Sequence, residues 1–410
     1  MRKKLLIYSD AVSTSTGLAR ITRELTQRIV SELHDDFEVA TIGQGALAAD
    51  RSLPWDQYDW KYNPEFIIRE LPAVWEKFTQ GQDGIFLSIQ DANRMLWLAD
   101  PEYCSDRAVK DFIYAVRPLK RMKLWGYFPV DGHNVNGGLG GLSAHVLSRY
   151  DRVLAYTKYG AGVISKTLAM ADPKTANEVE YIPHGIDTSV FYPRDRKEAR
   201  ETFGKRINHA VQWMQGNDND KPASVDDDAL AIGIVATNQQ RKDYGLGIQA
   251  VAEVAKTRKV FLWIHTDRLK GEWSILELLS DLKVLDYAVV STGNLTSDQM
   301  AWAYSAMDVT LGIGRGEGFG FPIFESLACG VACLTSDYGG APEWMEDVMR
   351  MPCDALRIEG PWNILRPIHT PYAWAREIEE VSPLGGFLPI ALEWREVFRR
   401  FAEWLKNESD

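Results

Sequence analysis

The stretch "GRGEGFGFPIFESLACG" runs from Gly314 to Gly330. The residues before it, "DVTLGIG" (308–314), form a β-branched apolar run of strand length. After it, "IFESLACG" (323–330) has helical spacing and a closing glycine, and Pro322 suits a first helical turn. The segment therefore reads as strand, glycine-rich loop and helix. A loop of this kind ends at a helix N-terminus, where free N–H groups and the helix dipole favour an anion. Gly318 and Gly320 allow close backbone approach to a ligand. Glu317 and Glu325 flank the loop, and carboxylates accept hydrogen bonds from paired hydroxyls. An anion site beside hydroxyl-binding carboxylates points to a nucleotide sugar, with one glutamate on the ribose and one on the sugar.

Outward from this stretch the same alternation recurs. "KLLIYSD" (4–10) reads as a buried first strand, and Leu18, Ile21, Leu25, Ile29 and Leu33 then fall at helical spacing. "GIFLSIQD", "KLWGYFPVD" and "RVLAYT" read as further strands in the first half, each followed by turn or helix signals. "ALAIGIVATN" opens a second series, continued by "KVFLWIHT", "AVVSTGNL", "DVTLGIG" and "VACLTSD". Alternating strands and helices predict parallel sheets covered on both faces. "YIPHGIDTSVFYPRD" (181–195) reads as a linker, and His184 within it as a hinge residue. The polar run 203–228 reads as a surface excursion. The expected divisions are a first domain over 1–190, a second over 191–385 and an amphipathic C-terminal helix over 386–410.

The chain has 410 residues and a net charge of −11. Up to residue 190 there are 22 Lys+Arg against 24 Asp+Glu, and the remainder holds 24 against 33. The acidity weighs against a general nucleic-acid binder and leaves the nearly neutral first part to meet any anionic surface. Four cysteines without a CxxC pair predict reduced thiols rather than disulfides or zinc. The apolar run near the N-terminus, Leu5 to Tyr8, is too short for a signal peptide, and no run has the length of a membrane span. A cytoplasmic protein is the expectation.

The pattern "EGFGFPIFE" followed by "ACGVACLTSDYGGAPE" resembles the donor-site signature of glycosyltransferase family 4. "YIPHGIDTSVFYP", "IVATNQQRKDYGLGIQA" and "TGNLTSDQMAWAYSAMDVTLGIG" are similar to that family's interdomain, phosphate-binding and nucleobase-side segments. The resemblance is specific in the second half and weaker in the first. It implies an α/β GT-B fold, two Rossmann-like domains facing across a cleft. It also implies transfer of a hexosyl or pentosyl unit with retained configuration, from a donor such as a UDP- or GDP-sugar. Glu325 would bind the ribose. Glu317 would lie near the transferred sugar, with the backbone N–H groups of Gly318, Phe319 and Gly320 beside it. Asn294 and Leu295 would lie on the nucleobase side, and Lys242 would neutralise the diphosphate. The family's usual arginine, about five residues before that lysine, falls near Thr237 here, and Arg241 is the available substitute. In the first half Gly17 stands in a loop similar to the family's glycine-rich first loop. Asp131 stands about where the family often carries a histidine facing the sugar, and His133 follows.

The tripeptide "DND" (218–220) has the form of a metal motif but no strand before it, so no metal and no cofactor are expected. The basic cluster "RPLKRMK" (117–123) is a candidate for peripheral membrane or DNA contact by the first domain, beside its reading as a solvated helix end. The acceptor stays open: lipid, glycan, metabolite, protein or a hydroxylated DNA base. A catalytically silent sugar-nucleotide binder and an epimerase- or phosphorylase-like enzyme on the same fold are the rival readings.

Overall fold

The computed structural model describes residues 2–45, 50, 52–60, 64–117, 121–172, 178–214, 224–360, 362–382 and 385–407. The chain forms two compact units, Met1–His184 with Val397–Asp410, and Gly185–Glu396.

The first unit is built on a seven-stranded parallel sheet. Its strands are β1 (Lys3–Asp10), β2 (Phe37–Gln44), β3 (Asp56–Trp60), β4 (Gly84–Ser88), β5 (Met122–Phe128), β6 (Arg152–Ala155) and β7 (Glu180–Tyr181), in the order β3-β2-β1-β4-β5-β6-β7. Leu5, Leu6 and Ile7 are fully buried, as expected for a parallel strand covered on both faces. The helix Gly17–Glu32 follows β1 and is capped by Thr16, whose Oγ1 accepts from the Ala19 N–H at 3.1 Å. Strand order reverses between β1 and β4, so the carboxyl ends of these two strands form a topological switch point.

The second unit also has a seven-stranded sheet. It comprises β8 (Val211–Met214), β9 (Leu230–Val235), β10 (Val260–Thr266), β11 (Ala288–Thr292), β12 (Val309–Gly312), β13 (Ala332–Ser336) and β14 (Arg350–Met351), ordered β14-β13-β12-β9-β10-β11-β8. Here the reversal falls between β9 and β12. A separate antiparallel hairpin follows, β15 (Ala355–Glu359) and β16 (Ile364–Ile368).

Several expectations are corrected. The surface excursion over 203–228 begins as the end of the helix Arg196–Ile207 and continues as β8, antiparallel to β11. Its partner lies some 75 residues away, so no local pattern announces it. The hairpin β15–β16 was not anticipated. Among the described residues of the tail, a short 3-10 turn at Ile390–Leu392 precedes the α-helix Trp394–Lys406, and from Val397 the chain belongs to the first unit. There Arg152 donates to the Trp404 carbonyl at 2.7 Å, with its guanidinium 4.7 Å and 4.5 Å from the Trp125 and Trp404 rings. The division between units falls after His184, not at 190. His184 is 1% exposed and contacts the Tyr127 hydroxyl at 3.0 Å, and burial pushes its pKa well below the ordinary histidine value. The "DND" motif lies outside the described residues, as do 118–120 of the basic cluster. At the cluster's described ends, Arg117 pairs with Asp151 at 3.2 Å and Arg121 donates to the Gly81 carbonyl at 3.1 Å.

Candidate functional site

The site begins with two loops that leave adjacent strands at the β9/β12 switch point. The first runs from Ala236 to Asp243 and is rigid for local reasons. Asn238 is fully buried and donates to the carbonyls of Arg268 and Trp273, while its own carbonyl accepts from the Trp273 N–H at 2.9 Å. Asp243 caps the helix Tyr244–Val254 by accepting from the Leu246 N–H at 3.0 Å. Arg241 and Lys242 are thereby fixed just before a helix N-terminus.

The second loop, Ile313 to Gly320, crosses the first. Lys242 pairs with Gly314 in a β-bridge, and the Arg315 N–H donates to the Arg241 carbonyl at 2.8 Å. The glycines follow from geometry. A Cβ on Gly314 would lie 1.9 Å from Glu317 Oε1, so any side chain there would push Glu317 off its present position. Gly320 caps the helix Phe321–Ala328 with φ 93°, a left-handed conformation suited to glycine. The turn at Gly339 and Gly340 holds the Glu317 backbone, with the Gly340 N–H donating to the Glu317 carbonyl at 3.0 Å.

These constraints bring Glu317 onto two cations. Its Oε1 pairs with Lys242 Nζ, and its Oε2 lies 3.2 Å from Arg241 Nη1, which also donates to the Gly316 carbonyl at 3.0 Å. The Glu317 and Lys242 side chains are each 12% exposed. Burial alone would raise the carboxyl, but Lys242 and then Arg241 outweigh it and hold the Glu317 pKa at about 2. Lys242 and Glu317 line one small concavity with Gly314, Gly320 and Pro322. An anion that displaces the Glu317 carboxylate there meets two cations and the start of a helix together.

A further arginine ties the loops. Arg315 is 8% exposed, pairs with Glu359 of the hairpin and donates to the Gln240 carbonyl at 3.1 Å. Arg366, from the same hairpin, donates to the Arg315 carbonyl at 3.1 Å.

The remaining candidates lie at varied distances from this cluster in sequence and fold. Glu325 sits on the helix that the loop initiates, is 4% exposed, and accepts from the Tyr304 hydroxyl at 3.0 Å. Phe319 is buried, its ring packed against Phe321 and Phe324. Gly318 follows Glu317 directly and is half-buried. Asn294, exposed, and Leu295, packed on the apolar core, follow β11, two strands from β9. Gly17, Asp131 and His133 belong to the first unit. Gly17 is exposed at the start of its helix, and His133 contacts the Asn134 carbonyl through Nδ1 at 2.7 Å. No group of three or more His, Cys, Asp or Glu side chains able to hold a metal occurs among the described residues. No described helix is long and apolar enough to cross a membrane.

Sequence reasoning passed over Gly314, Gly339 and, in the first unit, Asp10 and Gln90. The signal was present: both of the latter are polar residues directly after a buried apolar run, in "IYSD" and "SIQD".

Residues 228–381 match the family described as glycosyl transferases group 1. The D-inositol 3-phosphate glycosyltransferase of Acidothermus cellulolyticus is 26% identical over 231 residues, 54% of this chain and 45% of its own length. Its counterpart in Mycobacteroides abscessus is 24% identical over 251 residues, 60% of this chain and 48% of its own. The chain thus spans about half the length of these curated relatives. Among solved structures, HepE of Anabaena, crystallised with UDP and glucose, aligns with a TM-score of 0.62 at 13% identity, over 98% of this chain and 99% of its own. Sucrose-phosphate synthase from Thermosynechococcus elongatus aligns with a TM-score of 0.62 at 13% identity, over 99% of this chain and 98% of its own. These likenesses, with two parallel-sheet α/β units, establish the GT-B fold.

Proposed function

We propose that this chain, a GT-B protein with a group 1 glycosyltransferase region at residues 228–381, moves a sugar from a nucleoside diphosphate sugar to an acceptor hydroxyl with retained configuration. The observation that carries the reading is the Lys242–Glu317–Arg241 cluster at the β9/β12 switch point. In open α/β sheets this is where ligands bind. Two cations and a helix start suit a diphosphate, whose negative charge grows as the glycosidic bond breaks. HepE has been crystallised with UDP and with UDP-glucose, which favours a uridine donor here.

Each residue then takes a role. Lys242 and Arg241 hold the diphosphate. Glu317, released from them as the phosphates arrive, accepts from the sugar hydroxyls, with the N–H groups of Gly318, Phe319 and Gly320 beside it. Glu325 accepts from the ribose hydroxyls, steadied by Tyr304. Asn294 and Leu295 flank the base. Asp131 and His133, in the first unit, meet the acceptor, and Gly17 lets the backbone approach the donor phosphates. Glu317 is held strongly acidic by its cations, which suits an ionised acceptor and not a proton donor. The leaving phosphate therefore takes the acceptor proton on the face from which it departs, which preserves configuration. With two cations on the phosphates, no metal ion is required.

The test is a thermal-shift panel of UDP, GDP and ADP, followed by release of the best nucleotide from its sugar conjugates. One nucleotide should raise the melting temperature, and Lys242→Ala should abolish turnover of its sugar conjugate. Absence of a shift with every nucleotide, or turnover unchanged in Lys242→Ala, overturns the proposal. A nucleotide that binds without any conjugate being turned over would favour the catalytically silent reading.

A further inference from the structure

The first unit has its own switch point, between β1 and β4, and its chemistry differs from that of the second. Asp10 ends β1 and Gln90 follows β4. Asp10 Oδ1 accepts from Gln90 Nε2 at 2.9 Å and from Gln44 Nε2 at 3.2 Å, and Oδ2 accepts from the Thr16 hydroxyl at 2.6 Å. The carboxylate is held by two amides and a hydroxyl, all of them neutral. Gln90 is fully buried, yet its Oε1 has no hydrogen-bond partner. The Tyr156 hydroxyl, at the end of β6, is likewise buried without a partner, and it lies within electrostatic reach of Asp10 and Asp91. A buried amide oxygen left unpaired is costly, so a ligand that donates to it is favoured by that bond. Thr16 is exposed and Asp10 half-buried, so the cluster meets solvent on its Asp10–Thr16 side.

We propose that Asp10 and Gln90 form a binding site for a neutral, hydroxyl-rich molecule, two of whose neighbouring hydroxyls donate to Asp10 Oδ2 and Gln90 Oε1. The unsatisfied atoms are acceptors, so the ligand must bring donors. A phosphate brings acceptors and a negative charge, and the Asp10 carboxylate repels it. Nearby cations are already engaged: Arg20 pairs with Glu24 at 2.9 Å, Arg94 with Asp91 at 3.5 Å, and Arg23 donates to the Val12 carbonyl at 2.9 Å. If the chain transfers sugar as proposed above, on which this assignment rests, the molecule bound here is the acceptor. The acceptor class is then an unphosphorylated polyol or glycan end, unlike the phosphorylated inositol in the names of the relatives.

The experiment is saturation-transfer NMR on the full chain, with and without saturating UDP. The probes are myo-inositol, glycerol, methyl α-glucoside, glucose 6-phosphate and glucosamine. A neutral probe should give the strongest signal, and Gln90→Met should weaken its binding at least tenfold while UDP affinity and melting temperature hold. Asp10→Asn should weaken the same probe and serves if Gln90→Met does not fold. No neutral-probe signal in the wild type, a preference for the phosphorylated or amino probe, or wild-type affinity in both variants overturns the assignment. Failure of the donor reading is seen separately, as absence of UDP binding.

Discussion

The pairing of Lys242 with Glu317 can be weighed directly. Glu317 is held at about 2 where an ordinary glutamate stands at 4.5. At about 1.4 kcal/mol per pH unit, that gap corresponds to about 3 kcal/mol of preference for the ionised carboxylate in the folded chain. The first-ranked opposing effect is burial, and Lys242 contributes more than Arg241 to overcoming it. Lys242→Met leaves a buried carboxylate with one partly exposed partner, and breaking a buried pair in this way costs about 3 kcal/mol or more. For a unit of this size the loss lowers its melting temperature by about 6–12 °C. Glu317→Gln removes the charge that Lys242 answers, so the double variant should recover most of the loss, with a coupling energy of about 2 kcal/mol. Glu317 has a depressed pKa, so its contribution is complete above about pH 4.5 and fades as the pH falls toward 2. Calorimetry of the four proteins at pH 7 and at pH 3 checks both points, and the coupling should shrink at the lower pH. Glu317→Gln should also free both cations and raise nucleoside diphosphate affinity about fivefold, since a like charge near the phosphates is gone. Additive single effects within about 0.5 kcal/mol at pH 7 would refute the reasoning.

Glu325→Ala should weaken free nucleoside diphosphate by about 1.5–3 kcal/mol, the range for hydrogen bonds to a charged group, as read by calorimetric titration. Transfer should persist in excess EDTA, because Lys242 and Arg241 do the work of a cation; loss restored by Mg²⁺ or Mn²⁺ would contradict this. Asp131→Ala and His133→Ala should lower transfer and leave nucleotide affinity nearly unchanged in paired binding and rate measurements. His265 is half-buried beside Ser291, and its partial removal from water lowers its pKa to about 4. The unfolded chain therefore binds a proton that the folded chain refuses, and stability should fall by up to about 3 kcal/mol as the pH drops from 6.5 to 4, a slope that His265→Asn removes in thermal melts.

The fold was legible where the sequence repeats a local rule. "KLLIYSD", "KVFLWIHT" and "DVTLGIG" are short buried runs with turn residues behind them, and each is a strand. Two parallel sheets follow from the alternation, and the structural likenesses bear this out. What escaped depends on distant partners. β8 is formed by "VQWM" inside a polar run, and it is a strand because β11 offers an edge. β15 carries exposed Leu356 and Ile358 among charges and has no buried face of its own to give it period-two contrast. At the site, the acids and cations could be named from the motif. Their mutual contact could not, because it depends on Gly314 leaving room for a side chain three residues on.

The hairpin that the sequence hid also explains why the cluster holds its shape. A loop rich in glycine gains freedom in the unfolded chain and must be fixed by contacts elsewhere. Arg315 supplies them from the centre of the loop. Its backbone N–H binds the Arg241 carbonyl, its guanidinium binds the Gln240 carbonyl and Glu359, and its own carbonyl is held by Arg366. The flexible residues on either side, Gly314 and Gly316, are thus anchored to the lysine loop on one side and to the hairpin on the other. Glu359 is itself drawn below the usual carboxylate range, by its Arg357 hydrogen bond and by Arg315, against the effect of burial. Apart from the Arg241 bond to the Gly316 carbonyl, the contacts that steady the loop run through Arg315, Glu359 and Arg366 rather than through Lys242 and Glu317. On the proposed reading, Lys242 and Arg241 would exchange Glu317 for phosphate while the Arg315 contacts keep the loop backbone in place.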